Sequence, residues 1–185
     1  MISHIYDQSQ FGEAWFTYPS FYKYIVQKFS NNSHFVEVGS WKGKSAAFMA
    51  VEIANSGKNI KFDCVDTWKG SEEHVEDPFV KSDTLYQLFL NNMKPLERYY
   101  TPIRKPSEEA STLYSNNSLD FVFIDADHSY EQVQKDIKAW EPKIKNGGII
   151  AGHDYNCWPS VTQAVNDYYK NTVKEFEGFC WFVQK

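Results

Sequence analysis

Apolar positions in this chain recur in two rhythms. Short continuous runs at 35–38, 60–65, 121–124 and 149–151 are strand-length, and most are rich in β-branched or aromatic residues. Between them, apolar residues return at helical spacing: Ala46, Ala47, Met49, Ala50, Ile53 and Ala54 within 45–55, and Leu85, Leu88, Phe89 and Leu90 within 82–93. Val133, Ile137 and Trp140 do the same within 130–140, and Val161, Ala164, Val165 and Tyr168 within 160–169. Strands alternating with helices of this length predict βαβ units and a parallel sheet. Runs apolar on both faces predict strands covered by helices on each side. The end of the chain breaks the rhythm: 173–176 and 180–183 flank Glu177 and Gly178, which predicts an antiparallel edge hairpin. The aromatic-rich segment 15–29 predicts a covering helix. The expected fold is α/β, a doubly wound, mostly parallel sheet in one domain over 1–185, with 1–30 as a helical cover. Its ligand belongs beyond the carboxyl ends of the strands.

Length and composition narrow the classes. A chain of 185 residues corresponds to about one domain, and 42% hydrophobic with 17% aromatic residues excludes a disordered chain. Lys and Arg number 19 against 24 Asp and Glu, a net charge of −5 without long runs of either sign. That argues against duplex nucleic acid, whose binders carry a basic face. Cys64, Cys157 and Cys180 lack metal-type pairing and read as free thiols in a reducing compartment. The first residues lack the basic and apolar regions of a signal peptide, and no apolar run approaches membrane-spanning length. A cytoplasmic protein with a small-molecule partner, and neither nucleic acid nor membrane, is expected; the aromatic content leaves a homodimer open.

Three constellations carry candidate chemistry. In FVEVGSWKGKS, residues 35–45, a strand runs through a turn with Gly39 and Gly43 into a helix. Glycines there let backbone approach a ligand, and the helix start offers unpaired N–H groups. A P-loop would need four residues before Gly-Lys-Ser where this chain has three. Trp41 stands where a dinucleotide fingerprint needs its second glycine, and Glu37 suits a cationic ligand better than a phosphate. An ordinary strand-to-helix turn is the alternative. Asp66, ending the next apolar run, can accept both hydroxyls of a ribose. Together these features select a nucleoside without a pyrophosphate.

The third constellation has two parts. FVFIDADHSY delivers Asp125, Asp127 and His128 at the end of one strand, and GGIIAGHDY delivers His153 and Asp154 at the end of another. Neighbouring parallel strands would bring Asp125, Asp154 and His153 onto one divalent cation, with His128 nearby as a base. Hard oxygen ligands favour Mg²⁺, Mn²⁺ or Ca²⁺, while two histidines leave Fe²⁺ or Zn²⁺ open. The alternative is helix capping by Asp127 or Ser129.

The Glu-x-Gly-x-x-x-Gly turn, the acid ending the second strand and the IDADHSY stretch resemble class I S-adenosylmethionine-dependent methyltransferases, which have a Rossmann-like fold. More narrowly, DTWKGSEEH at 66–74 and GGIIAGHDY at 147–155 resemble methyltransferase family 24, related to macrocin-type and catechol-type metal-dependent O-methyltransferases. The resemblance runs from about Trp15 to the end of the sequence. It implies an S-adenosyl-L-methionine site formed by Glu37, Gly39, Ser40, Gly43, Ser45, Asp66, Thr67, Ser107 and Asp125. Within it Glu37 and Gly39 would line the methionine part, Asp66 would hold the ribose and Ser107 would lie against the adenine. Asp125 matches the first metal aspartate of catechol-type enzymes. His153 and Asp154 fall where those enzymes place Asp-Asn, and His128 where they place a catalytic lysine. The implied reaction is metal-assisted O-methylation of a small hydroxylated acceptor such as a sugar or glycan, with Asp125 and His128 as catalytic residues and Asp125, His153 and Asp154 holding Mg²⁺, or else Mn²⁺, Ca²⁺ or Fe²⁺. The loop 68–79 and Trp15, Phe16 and Tyr18 would roof the pocket. A metal-dependent hydrolase using the Asp/His cluster and a noncatalytic nucleoside-binding module are the rival readings.

Overall fold

The structure, a computed structural model, describes residues 1–12, 15–170 and 172–185. Glu13 and Ala14 of the expected cover therefore lie outside the described residues. In chain order, α1 (Pro19–Lys28) precedes β1 (His34–Val38), α2 (Lys44–Ser56) and β2 (Lys61–Asp66). Then come α3 (Pro78–Lys81), α4 (Leu85–Met93), β3 (Thr101–Arg104), α5 (Ser107–Ser111) and β4 (Leu119–Ile124). The chain ends with α6 (Tyr130–Trp140), β5 (Ile144–Gly152), α7 (Pro159–Tyr169), β6 (Lys174–Phe176) and β7 (Cys180–Gln184). All seven strands share one sheet in the order β3-β2-β1-β4-β5-β7-β6. Strands β1 to β5 pair in parallel, and β7 runs antiparallel to both β5 and β6. This is the Rossmann-like sheet with an antiparallel edge hairpin that the patterning predicts. Strand order reverses between β1 and β4, so the ligand crevice of such a sheet opens there.

Alternate residues of each strand feed two cores, as a period of two requires. Phe35, Phe121 and Phe123 pack with Phe21, Tyr22 and Ala50 under α1 and α2. Val36, Val122 and Ile124 pack with Val133, Ile137, Trp140 and Val165 under α6 and α7. Each large buried side chain contributes about 1.5–3 kcal/mol from area removed from water. The sheet that positions the site is therefore held from both faces.

Several boundaries differ from expectation for local reasons. The cover begins as a helix only at Pro19, a residue suited to the first helical position; 15–18 runs as an irregular strap. The helix expected over 82–93 starts at Leu85, because Asp83 adopts a left-handed φ of 51° and separates it from α3. At the start of α3, Asp77 accepts from the Phe79 and Val80 amides. Strand β3 carries no buried run, since it lies at the sheet edge and is half-exposed. The hairpin turn gains a third residue, Phe179, with Gly178 and Phe179 both at positive φ. Among the described residues, no helix is long and apolar enough to cross a membrane.

Candidate functional site

A cavity of about 820 Å³ lies at the carboxyl ends of β1, β2, β4 and β5, lined by the residues that follow them. Gly39 leaves β1 with φ +91°, and a Cβ there would sit 1.8 Å from the Asp125 carbonyl oxygen. Only glycine lets this turn lie against the end of β4. The next loop is held by Asp66, whose Oδ2 accepts from the Ser40 and Trp41 amides at 2.9 and 2.8 Å. Its Oδ1 accepts from the Trp68 amide at 2.7 Å. Of the roughly four acceptor positions of a carboxylate, three are thus used on the chain itself. Asp66 still lines the cavity, but its first task is to clasp the glycine turn. Burial pushes its carboxyl up, against the pull of those amides.

Glu37 sits deeper than expected. It is fully buried behind the wall made by Val38, Gly39 and Ser40, and does not line the cavity itself. The Tyr22 hydroxyl donates to its Oε2 at 2.7 Å, while Oε1 has no hydrogen-bond partner. Burial pushes this carboxyl up to about 7, although the hydroxyls of Tyr22, Ser40 and Ser45 pull the other way. The side chain can act on a ligand through its charge rather than by lining the cavity. Gly43 also lies behind the wall, at φ +90° against Met93 and Phe89. Ser40, Ser45, Thr67 and Ser107 do line the cavity. Ser107 Oγ accepts from Trp140 Nε1 at 2.9 Å.

The acid and histidine cluster forms where β4 and β5 end side by side. The Asp125 amide donates to Val38 O at 2.8 Å and the His153 amide to Ile124 O at 3.1 Å, so the ladders continue into the site. His128 bridges two carboxylates, with Nε2 2.9 Å from Asp154 Oδ2 and Nδ1 3.0 Å from Glu73. Its ring stacks on Trp158 at 4.6 Å. Burial pulls the His128 pKa down, but the two carboxylates win and lift it to about 9. His153 Nδ1 lies 3.6 Å from Asp125 and 3.3 Å from Asp154. Burial opposes its charge as well, and the same two carboxylates raise its pKa to about 10. Asp154 is held below the usual carboxylate range, burial being overcome by both histidines.

Ligand atoms of Asp125, His128 and Asp154 lie within 4.8 Å of one another. The sequence points to His153 as the nitrogen ligand and to His128 as the base; the geometry puts His128 into the trio instead. His153 is committed on its far side. The Thr17 hydroxyl donates its single proton to Gly178 O at 2.9 Å, so it accepts from His153 Nε2–H, 2.9 Å away. Neither candidate caps α6: Ser129 stands at its N-cap without a side-chain cap bond, and Asp127 accepts from the Ser129 amide at 2.7 Å in the turn before the helix while lining the cavity.

Two contributors carry no local sequence signal for their roles. Tyr18 donates to Asp125 Oδ2 at 2.7 Å across 107 positions, and Thr17 reaches His153 across 136. Glu73 lies inside the DTWKGSEEH motif, yet its partner His128 is 55 positions away. The roof is formed by Trp15, Phe16, Gly70, Ser71 and His74 among others, with Trp41 and His74 rings 4.3 Å apart. Trp68, expected in that roof, is instead fully buried against Tyr86 and Phe89.

Comparison with known proteins bears on the family and the fold. The chain is 28% identical over 138 residues to uncharacterized protein R132 of Acanthamoeba polyphaga mimivirus, covering 71% of this chain and 57% of that protein. It is 26% identical over 141 residues to uncharacterized protein y4gI of Sinorhizobium fredii, covering 76% and 15%. The chain thus spans only part of the length of these curated relatives. Its fold is similar to the O-methyltransferase NovP, with a TM-score of 0.69 at 15% identity over 90% of this chain and 78% of that one. It is also similar to the Bacillus cereus O-methyltransferase solved in complex with SAH, with a TM-score of 0.63 at 15% identity over 94% and 84%. The family model of methyltransferase family 24, a methyltransferase domain, matches residues 36–155, from the first strand through the His153-Asp154 turn. The chain belongs to that methyltransferase family.

Proposed function

We propose that this domain is an S-adenosylmethionine-dependent O-methyltransferase acting on a small hydroxylated acceptor such as a sugar, assisted by a divalent cation. The observation that carries this reading is the convergence, on one cavity of about 820 Å³, of the glycine turn, Asp66 and the Asp125–His128–Asp154 trio. A cavity of that size accommodates a nucleoside cofactor with room for a second small molecule. The residues suit the cofactor's chemistry. Buried Glu37, with Oε1 open, supplies negative charge behind the turn for a cationic ligand, and Asp66 lines the cavity where a ribose hydroxyl would meet its carboxylate. The donor set of two carboxylates and an imidazole suits a divalent cation. The family match and the SAH complex of the structurally similar Bacillus cereus enzyme support the same cofactor.

S-adenosylmethionine would supply a methyl group already activated on a sulfonium, and a cation held by Asp125, His128 and Asp154 would lower the pKa of an acceptor hydroxyl. The chain's own task is placement. Holding methyl donor and acceptor in line supplies roughly 7–11 kcal/mol of the barrier. The glycine turn and Asp66 fix one reactant, while Asp125, Asp154 and the strap residues Thr17 and Tyr18 shape the other side. His128, whose proton Glu73 and Asp154 hold up to about pH 9, would give that proton up before serving as cation ligand or as proton acceptor, and the two roles exclude each other at Nε2. Its place in the trio favours the ligand role.

Calorimetric titration of S-adenosylmethionine and S-adenosylhomocysteine, with Mg²⁺ and with chelator, tests the reading. Micromolar binding that Asp66→Ala abolishes is the expected result. A His128→Gln variant with weakened cation affinity identifies a ligand, whereas lost turnover at unchanged cation affinity identifies a base. No binding of either nucleoside, together with zinc-dependent hydrolysis, overturns the proposal.

A further inference from the structure

The hairpin between β6 and β7 places a bulky aromatic residue where the backbone favours glycine. Phe179 sits at φ +62°, directly after Gly178 at +75°. A left-handed position in such a turn is one that glycine fills without strain, and a large side chain there is an outlier. The chain holds the strained backbone from both sides. The Thr17 hydroxyl donates to Gly178 O at 2.9 Å, and the Tyr155 amide donates to Phe179 O at 3.0 Å. The ring so placed does not serve the core: it is 51% exposed, belongs to neither buried cluster and lines the cavity. Strained positions that their surroundings hold in place gather at functional sites. A second ring shares this side of the cavity. Trp158 also lines it, is 38% exposed, and stacks on His128 with the two planes 17° apart. Both aromatics flank the trio, since Tyr155, which grips Phe179, follows Asp154, and Trp158 covers His128. Exposed aromatic surface gathered on a cavity wall is surface that a ligand covers.

Resting on the methyltransferase reading above, we propose that Phe179 is a specificity-determining platform for the methyl acceptor, stacking on the C–H face of an uncharged pyranose ring. The chemistry of this side of the cavity selects that ring. A pyranose has an apolar C–H face and several hydroxyls around its edge, so it calls for an aromatic surface and carboxylate acceptors together. Glu73 and Asp127 line the cavity along with the acids of the trio, offering more acceptors than the two hydroxyls of a flat diol such as catechol engage. The same acids repel an acceptor that carries a phosphate or a carboxylate. A ring on a backbone already fixed also loses little freedom when a ligand covers it, which favours affinity.

The test uses methyl pyranosides of the gluco, galacto, manno and rhamno series as probes. They are titrated by saturation-transfer NMR into wild type, Phe179→Gly and Phe179→Tyr, each loaded with S-adenosylhomocysteine and Mg²⁺. At least one pyranoside should bind wild type and take up saturation at its ring C–H protons. Phe179→Gly should weaken it roughly 3- to 10-fold, the range for one aromatic contact, and Phe179→Tyr, which keeps the ring, should bind as wild type does. Urea unfolding separates this role from packing. Glycine relieves the left-handed backbone, so the midpoint of Phe179→Gly should be no lower than that of wild type. A lower midpoint makes the ring a packing residue and overturns the assignment, as does equal pyranoside affinity in wild type and Phe179→Gly. Wild type that binds S-adenosylhomocysteine but no pyranoside, or catechol instead, overturns this inference and leaves the cofactor reading standing. Failure of folded wild type to bind S-adenosylhomocysteine overturns the cofactor reading itself, and this inference with it.

Discussion

Replacing Glu37 with glutamine removes a buried charge and keeps the side chain's shape, so it isolates what that charge costs. The carboxyl is raised from its ordinary 4.5 to about 7, with burial as the leading cause. At about 1.36 kcal/mol per pKa unit, that rise corresponds to roughly 3 kcal/mol. The sign follows from linkage. The folded state holds the Glu37 proton more tightly than the unfolded state, so stability falls as pH rises from 4.5 to about 7 and then levels off. Glutamine has no such dependence. Urea unfolding of Glu37→Gln and wild type should therefore show the variant's relative stability growing by about 2–3 kcal/mol between pH 5 and pH 8. The same charge should report on ligand binding, because a cationic cofactor favours the ionised carboxylate. Near pH 6.5, binding to wild type should release protons, measured as a dependence of the calorimetric heat on buffer ionisation enthalpy, and the variant should release fewer. A stability difference independent of pH would refute the reasoning, since it would mean that the buried carboxyl is not displaced from its ordinary value.

Three further outcomes are expected. Gly39→Ala must hold a Cβ against the Asp125 carbonyl at a φ of +91°, and should cost roughly 2–5 kcal/mol by denaturant unfolding; a loss under about 1 kcal/mol contradicts the close approach. Asp125→Ala should abolish methyl transfer while leaving S-adenosylhomocysteine affinity within a few-fold, and equal turnover by that variant in Mg²⁺ and in chelator removes the cation from the mechanism. Asp77→Ala loses both the cap of α3 and the 3.0 Å ion pair with Lys42. It should cost about 0.5–2 kcal/mol in thermal unfolding, and an unchanged transition would show that the cap carries no stability.

What could be read from the chain follows the range of the interactions concerned. Helices at 130–140 and 160–169 were legible because their apolar stripes are local, and α6 begins and ends as the spacing predicts. Strand β3 was not, because half-exposed Thr101–Arg104 has no buried run to betray it. Within the site, residues at strand ends announce themselves, since an apolar run stopping at Asp125 or at His153 and Asp154 is visible in one dimension. What those residues do once there depends on partners that sequence spacing hides. Asp66 reads as a ribose acceptor, but its contacts to the Ser40 and Trp41 amides cross 26 and 25 positions. His128 reads as a base, and its ring nitrogens meet Glu73 and Asp154, 55 and 26 positions away. Glu37 reads as a lining residue until Tyr22 and the glycine turn cover it.

The Thr17 hydroxyl joins the strap to the edge hairpin across 161 positions, with Ser20 and Glu177 paired alongside. A contact that closes so much of the chain into one loop pays the loop entropy of nearly the whole domain, unless the sheet has already brought the ends together. Refolding is therefore expected to complete the roof over His153 after the sheet. Amide exchange should show it opening at a free energy below that of global unfolding. Competence for chemistry and possession of the fold thus part company here: a molecule with every strand of the sheet in place but the strap released would keep the backbone signal of the sheet while losing the partners of Asp125 and His153. Amide exchange in 15–18 and 177–180 should then rise and fall together, and a ligand that settles one end should quieten the other.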